Sequence, residues 1–302
     1  MSYSLSDFGS YRAGGRLVEV SGEPCREIAF TASTRYPYDP NGAFPVESAY
    51  VQYFVPSRRR DRPPVVLLHG GGMTGAMWET TPDGRPGWLH LLLDRGLEVH
   101  VVDNVERGRA GWKPGLWPGE PILRSLQEAW RLFRFGRPED FAARRAFPNQ
   151  QFPVARLEDF GRGFVPRWTS SGPAQVAAFE AVLRRLGRAT VICHSQGGEA
   201  AFEAAARAPE AVERLIALEP SGFAERPELL AGVPVVLARG DYLDCDATWR
   251  GLTARWRDFA AALRGAGGSV AELDLADGSP GVSHMAMMDR GSADHLDRLP
   301  GL

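Results

Sequence analysis

Ser195 lies in Thr190-Val-Ile-Cys-His-Ser-Gln-Gly-Gly198, where an apolar strand-like run stops and a small-residue helical run, Glu199-Ala-Ala-Phe-Glu-Ala-Ala-Ala206, starts at once. A serine at such a bend has the makings of a nucleophile. The tight strand-to-helix turn projects its hydroxyl into a cleft, and small residues two positions either side let strand and helix approach. Cys193 departs from the usual G-x-S-x-G pattern; its side chain is modest in volume, and Gly197 and Gly198 still relieve crowding on the helix side. A second apolar run, Val65-Val-Leu-Leu, enters a glycine loop, His69-Gly-Gly-Gly72. Such a loop can aim a backbone N–H, expected from Gly71, at a substrate carbonyl, with the Gln196 N–H at the helix start as the second donor. Two such donors facing a developing oxyanion could contribute roughly 3–4 kcal/mol each in a dry site. A phosphate cradle is excluded, because no G-K-[ST] follows and the G-x-G-x-x-G spacing with a later acid is absent.

A base must come from six histidines. His69 belongs to the glycine loop, His90 and His100 to the first helix and the next strand, and His295 to the tail. His194 neighbours Ser195, with its side chain expected to point away from the serine. His284 follows the last buried run in Ala276-Asp-Gly-Ser-Pro-Gly-Val-Ser-His284, and loops after parallel strands converge on one sheet edge, so it can meet Ser195 across the crevice. A carboxylate should orient the imidazole. Glu219 ends the run Leu215–Leu218, while Asp241 and Asp244 follow Val233–Arg239; the order Ser–acid–His holds for all three, and residue reasoning leaves the choice open.

These residues need a scaffold. At 302 residues, 44% hydrophobic and 24% charged, the composition is that of an ordinary folded globular chain with room for one large or two ordinary domains. Thirty-five Lys+Arg against thirty-seven Asp+Glu, a formal charge of −2, excludes long-range gripping of nucleic acid or an anionic membrane. Lys113 is the only lysine, so Schiff-base and P-loop chemistry have almost no candidate. Cys25, Cys193 and Cys245 are odd in number, widely spaced and without a CxxC pair, so neither a disulfide framework nor a metal site is expected. Met1–Ser10 lacks the basic and apolar regions of a secretory leader, and no apolar run of about 18 residues could span a membrane. The expectation is a cytoplasmic protein, with export left open should a leader have been removed, and a homodimer as the assembly to consider.

Residues 16–20, 27–31 and 48–55 read as antiparallel edge strands. Buried-strand runs follow at 65–68, 99–102, 190–193, 215–218, 233–237 and 270–275, alternating with helical patterns at 88–95, 173–186, 199–208 and 248–264. That alternation builds an α/β fold with a mostly parallel sheet covered on both faces. Residues 112–171 break it. They hold four of the eight tryptophans and mixed helical patterns at 122–135 and 137–147, and read as a helical cap inserted into a core of 1–111 and 172–302. Met73, Trp78 and Trp112 are candidate walls of a largely apolar substrate pocket.

The chain resembles the α/β-hydrolase superfamily, and within it a group of bacterial and fungal carboxylesterases. The resemblance runs through His69-Gly-Gly-Gly-Met-Thr-Gly75, Trp78-Glu-Thr-Thr-Pro-Asp-Gly-Arg-Pro-Gly-Trp88, Asp103-Asn-Val-Glu-Arg-Gly-Arg109, Cys193-His-Ser-Gln-Gly197, Ala217-Leu-Glu-Pro-Ser-Gly222 and Ser283-His-Met285. It implies a triad of Ser195, His284 and Glu219, oxyanion donors at Gly71 and Gln196, and hydrolysis of a small-molecule ester with no cofactor. Some relatives carry cysteines where this chain has Gly71-Gly72, so a disulfide there is lost. A lactonase or amidase would use the same machinery, and a binding protein keeping the shell is the non-enzymatic alternative.

Overall fold

The computed structural model describes residues 3–302. Ten strands form: β1 (Leu5–Val20), β2 (Arg26–Ala29), β3 (Arg35–Tyr38), β4 (Gly42–Pro56), β5 (Val65–Leu68), β6 (Val99–Asp103), β7 (Ala189–His194), β8 (Val212–Leu218), β9 (Val235–Arg239) and β10 (Val270–Asp274). Eight make one sheet in the order β1-β4-β6-β5-β7-β8-β9-β10, while β2 and β3 form a separate hairpin. β1 runs antiparallel to β4, and β4 antiparallel to β6; from β6 to β10 every pairing is parallel. The apolar runs fall where their burial requires. Every residue of β5, β6 and β7 is buried, because helices cover both faces of the parallel part.

Seven α-helices flank the sheet: α1 (Trp88–Asp94), α2 (Leu126–Leu132), α3 (Leu157–Gly161), α4 (Gly172–Leu186), α5 (Gly197–Arg207), α6 (Ala247–Gly265) and α7 (Ser292–Asp297). α4, α5 and α6 bury Val176, Phe179, Phe202, Trp249 and Phe259 against one face. α1, α2, α3 and α7 bury Trp88, Trp130, Phe160 and Leu296 against the other. Asp246 caps α6 by accepting from the Thr248 N–H, and Ser125 caps α2 by accepting from the Glu128 N–H.

Two expectations change. β1 is sixteen residues long and not five, since its outer half pairs continuously with β4 although its side chains alternate weakly. In the insertion, the helical pattern at 122–135 shortens to α2, and that at 137–147 reduces to a 3-10 turn over Pro138–Asp140 followed by turns. Arg134 at φ +59° and Arg144 at φ +50° break helical continuity on either side of it. The aromatic side chains of the insertion do not form a layer of their own. Phe135 stacks on Phe152 at 4.0 Å, and both belong to the cluster that holds the β5 and β6 side chains Val65, Leu67, Val99 and Val101.

The join of β7 to α5 shows what positions the site. A Cβ on Gly197 would stand 2.3 Å from the His69 carbonyl oxygen, and one on Gly198 would stand 2.6 Å from the Pro220 Cβ. Strand and helix meet that closely only because neither residue has a side chain. Gly197→Ala should therefore lower stability by about 1–3 kcal/mol through overpacking. Gly251→Ala, with open space around the new methyl on exposed α6, should raise it by about 0.5–1 kcal/mol. Urea midpoints at constant slope measure both. Equal effects of the two substitutions would contradict the packing account.

Candidate active site

Ser195 caps the end of β7 at φ +52°, a left-handed conformation that costs a non-glycine residue about 1–3 kcal/mol. Besides the turn bond from the Gly198 N–H to its carbonyl, two backbone bonds to the end of β8 and the loop after it hold it there. Its N–H donates to the Leu218 carbonyl at 3.0 Å, and its carbonyl accepts from the Ser221 N–H at 2.9 Å. The nucleophile turn is thus clamped to the end of β8, where Glu219 sits in the same strained region at φ +45°. Cys193 is fully buried in the core beneath, and burial raises its thiol pKa, so it is a packing residue.

Of the three acids left open by residue reasoning, Glu219 meets His284. Its Oε2 lies 2.5 Å from His284 Nδ1, while Oε1 accepts from the Gly240 N–H at 2.7 Å and from Arg134 Nη2 at 2.5 Å. Burial alone would raise this carboxyl, but the Arg134 charge and the His284 contact overcome it and hold its pKa down to about 2. An ionised Glu219 requires the proton on Nδ1, which leaves Nε2 of His284 as an acceptor. Asp241 faces away from the imidazole. Its Oδ2 accepts from the Gly281 N–H at 3.0 Å, fastening the loop that carries His284. Asp244 is exposed on the far side of that turn.

The imidazole of His284 lies among three rings, with centroids at 4.4 Å for His194, 4.6 Å for Trp249 and 5.3 Å for Phe133. Its backbone is fixed as well, through its N–H to the Phe133 carbonyl at 3.2 Å and through its carbonyl, which pairs with His194 Nε2 at 2.9 Å. His194 therefore does not simply turn away from the nucleophile; it ties the residue preceding Ser195 to His284. Burial lowers the pKa of His284, Glu219 raises it, and Arg134 and Arg124 push it down again, so the net displacement is below the ordinary value. Neither Ser195 Oγ nor His284 Nε2 has a hydrogen-bond partner among the described residues. Such contacts commonly close only when substrate is bound.

The glycine loop presses against the elbow. A Cβ on Gly70 would meet His194 Nδ1 at 2.6 Å and Ser195 Cβ at 3.1 Å, and one on Gly71 would meet Gln196 Cβ at 3.3 Å. The N–H groups of Gly71 and Gln196 donate to nothing else among the described residues, the condition an oxyanion site requires. His69 is structural: Nδ1 contacts the Gly70 carbonyl at 3.0 Å, Nε2 accepts from the Asn104 N–H at 3.1 Å, and burial lowers its pKa to about 4.

Arg134 and Arg167 escape sequence reasoning, and Glu106 and Arg107 enter it only inside the Asp103–Arg109 stretch that carries the resemblance, with no role assigned. Arg134 is fully buried, donates to Glu219 and through Nε to the Asp241 carbonyl at 2.6 Å, and stacks over Trp249 at 4.1 Å. Arg107, also fully buried, pairs with Glu106 at 3.1 Å and donates to the Gly70 and Met73 carbonyls at 3.3 Å each, which fixes the glycine loop from behind. Arg167 lies against Gly71 from the open side. The only signal of Arg134 and Arg167 in the sequence is arginine placed among aromatic and glycine residues, which also describes an ordinary solvated surface. Backbone strain marks Glu106 and Arg134 but not Arg107 or Arg167, since Glu106, Arg134, Ser195 and Glu219 are four of the eight non-glycine residues with positive φ among the described residues.

The candidate pocket residues separate. Met73 lines a cavity of about 140 Å³ with Met77, Phe160 and Met288, beside the glycine loop. Trp78 is fully buried 5.7 Å from Trp88 and belongs to the core beneath the loop, not to a pocket wall. Trp112, 54% exposed, lines a different cleft of about 770 Å³ with Phe44 and Val46 of β4, which none of Ser195, Glu219 or His284 borders.

An open parallel sheet with a strained serine after β7, an acid after β8 and a histidine after β10 is the arrangement of an α/β-hydrolase. The chain matches no protein-family model. In an alignment covering 57% of its length it is 32% identical to the probable secreted lipase phiG of a fungal species (strain ATCC 74256), and it spans about half, 49%, of that protein. A solved structure described as a novel bacterial esterase is 31% identical and superposes with a TM-score of 0.84, covering 98% of this chain and 95% of the other. The chain belongs to the esterases of the α/β-hydrolase fold. No helix among the described residues is long and apolar enough to cross a membrane.

Arg134 supplies a test of the site's electrostatics. Arg134→Gln removes a cation that lowers the His284 pKa, so the acidic limb of kcat/KM, which reports the deprotonated base, should move to higher pH. Loss of one partner of the buried pair should also cost about 3–5 kcal/mol of stability. Arg134→Lys should restore part of both. A limb that stays in place in the folded glutamine variant would remove Arg134 from the electrostatics of the base.

Proposed function

We propose that the protein hydrolyses carboxylic esters through an acyl-enzyme on Ser195. The observation that carries this reading is the 2.5 Å contact of His284 Nδ1 with an ionised Glu219, which leaves Nε2 free to take a proton at the sheet edge that also carries the strained Ser195. Ser195 Oγ attacks the ester carbonyl carbon as its proton passes to His284 Nε2. The carbonyl oxygen gains the negative charge and is received by the Gly71 and Gln196 N–H groups. Collapse breaks the bond to the alkoxide, which leaves as the alcohol with the proton from His284. Water then repeats the sequence on the acyl-serine, releasing the acid and restoring the hydroxyl. Glu219 keeps the imidazole oriented and balances its charge throughout. No step calls for a cofactor.

Residues 112–171 act as a cap in this reading, since Phe133 and Arg134 from the insertion touch His284 and Glu219, and α3 walls the cavity at Met73. That cavity is close in size to one that holds a benzene ring, which suits a small apolar acyl or alcohol group. Exposed Cys25 and Cys245 with buried Cys193 are all free thiols, a pattern at home in the cytoplasm, while the similar fungal protein is named as secreted.

Ser195→Ala should reduce kcat on short aryl esters by about 10⁴-fold or more, and a fluorophosphonate probe should label the native protein at Ser195 alone. Turnover by the alanine variant at the native rate would end the proposal. Met77→Trp, which fills the cavity, should raise KM for esters with bulky apolar groups by about tenfold and affect acetate esters little. Equal effects on both ester series would place the apolar group elsewhere.

A further inference from the structure

Arg167 stands out among the charged groups around the glycine loop. Its backbone is locked on both sides: it exchanges hydrogen bonds with Ile122 at 2.8 and 3.0 Å, the preceding Val165 N–H donates to the Gly72 carbonyl at 3.0 Å, and the following Trp168 N–H donates to Glu106 at 2.7 Å. The guanidinium is thereby carried to the loop, with Nη1 3.5 Å and Cζ 3.7 Å from the point where a Cβ on Gly71 would stand. The Gln196 Cβ is 3.3 Å from that same point, so the cation borders the two residues whose free N–H groups face the cleft.

Arg167 has no carboxylate partner among the described residues, and its Nε is buried without a hydrogen-bond acceptor. Arg124 lies beside it. It pairs with Glu128 at 2.7 Å through Nη1 and keeps a second buried Nε without an acceptor. The two arginines border a void of about 20 Å³ together with Gly72, Ile122, Leu123 and Glu128, room for about one water or one carboxylate oxygen. Glu106 and Glu219 are already paired with Arg107 and Arg134, so neither carboxylate is free to offset the charge of Arg167 and Arg124. Two cations against one acid leave an excess positive charge beside the reacting carbonyl. Arg167 is partly exposed, so its terminal amino groups can be reached from solvent while its buried Nε lacks an acceptor, and a planar fork of donors matches a carboxylate.

We propose that Arg167, assisted by Arg124, forms an anion subsite that selects esters carrying a carboxylate within a few bonds of the scissile carbonyl. This rests on the ester-hydrolase reading and narrows it to a class: half-esters of dicarboxylic acids, or acyl esters of hydroxy acids. The carboxylate occupies the arginine side of the glycine loop, while the apolar portion of the same substrate takes the methionine-lined cavity on the other.

The test compares ethyl hydrogen glutarate with ethyl pentanoate for a carboxylate on the acyl side. The acetyl ester of 3-hydroxybutyrate is set against its amide for one on the alcohol side. The native protein should favour the anionic member of at least one pair by tenfold or more in kcat/KM, and free glutarate should inhibit competitively. Arg167→Gln should reduce that ratio by about tenfold, chiefly through KM of the anionic ester. Arg167→Lys should keep part of it, and substitution of the remote, exposed Arg226 by Gln should keep all of it. A ratio near one in the native protein, with neutral esters turned over through Ser195, overturns the subsite and leaves the hydrolase reading standing. Preserved selectivity in folded Arg167→Gln overturns it equally. Absence of Ser195-dependent turnover on every ester overturns the hydrolase reading itself.

Discussion

The contact between Arg134 and Glu219 is the constraint around which the site is organised. A buried carboxylate is expensive, and this one is kept ionised by a guanidinium that is itself without solvent. Ionised, it fixes the His284 tautomer; shared with Arg134, it stabilises the imidazolium less than an unpaired carboxylate would. The base is therefore one that sheds its proton readily. Because Arg134 follows α2, the electrostatics of a core triad depend on a residue of the insertion, and the region between 112 and 171 is as much part of the site as β7 or β8. Trp249 on α6 completes the arrangement by covering both the guanidinium and the imidazole.

Strain is concentrated at the same place. Ser195 and Glu219 both take left-handed conformations, and each is held by hydrogen bonds to a neighbouring strand end: Ser195 to Leu218, Glu219 to Ala238. The parallel register places Leu218 beside His194 and Ala238 beside Leu218, so consecutive strands deliver nucleophile and acid to one edge. The sheet thus accepts an unfavourable backbone at two points in exchange for side chains that project above its rim. Gly197 and Gly198 make the exchange feasible by letting α5 begin at contact distance from the glycine loop and Pro220.

Two different cavities adjoin the glycine loop. Met73, Met77 and Met288 with Phe160 make one largely apolar, while Arg124 and Arg167 line the other with Gly72 and Glu128. A largely apolar substrate, the expectation from the aromatic content of the insertion, accounts for the first cavity only, because most of those aromatic rings are buried in the core.

Much was legible from local pattern. Continuous apolar runs identified the inner parallel strands because burial on both faces leaves little room for polar residues, whereas β10, expected as a buried strand, is a partly exposed edge strand carrying Glu272 and Asp274. Serine, histidine and glycine loop were legible because a strand-to-helix bend imposes its own small residues. The choice among Glu219, Asp241 and Asp244 was not, since all three follow parallel strands in permitted order; resemblance to known esterases favoured Glu219, and only the distances to His284 and Gly281 separated the part each acid plays. Arg134 and Arg167 were equally invisible, and Arg107, though inside the Asp103–Arg109 stretch that carries the resemblance, had no role assigned. A cation's role depends on which carboxylate or carbonyl comes to meet it, and those partners lie 85 residues away for Arg134 and 37 and 34 for Arg107. Secondary structure follows from interactions between near neighbours, which a linear string records. Charge pairing and close backbone approach join remote segments, so they exist only once the chain has folded.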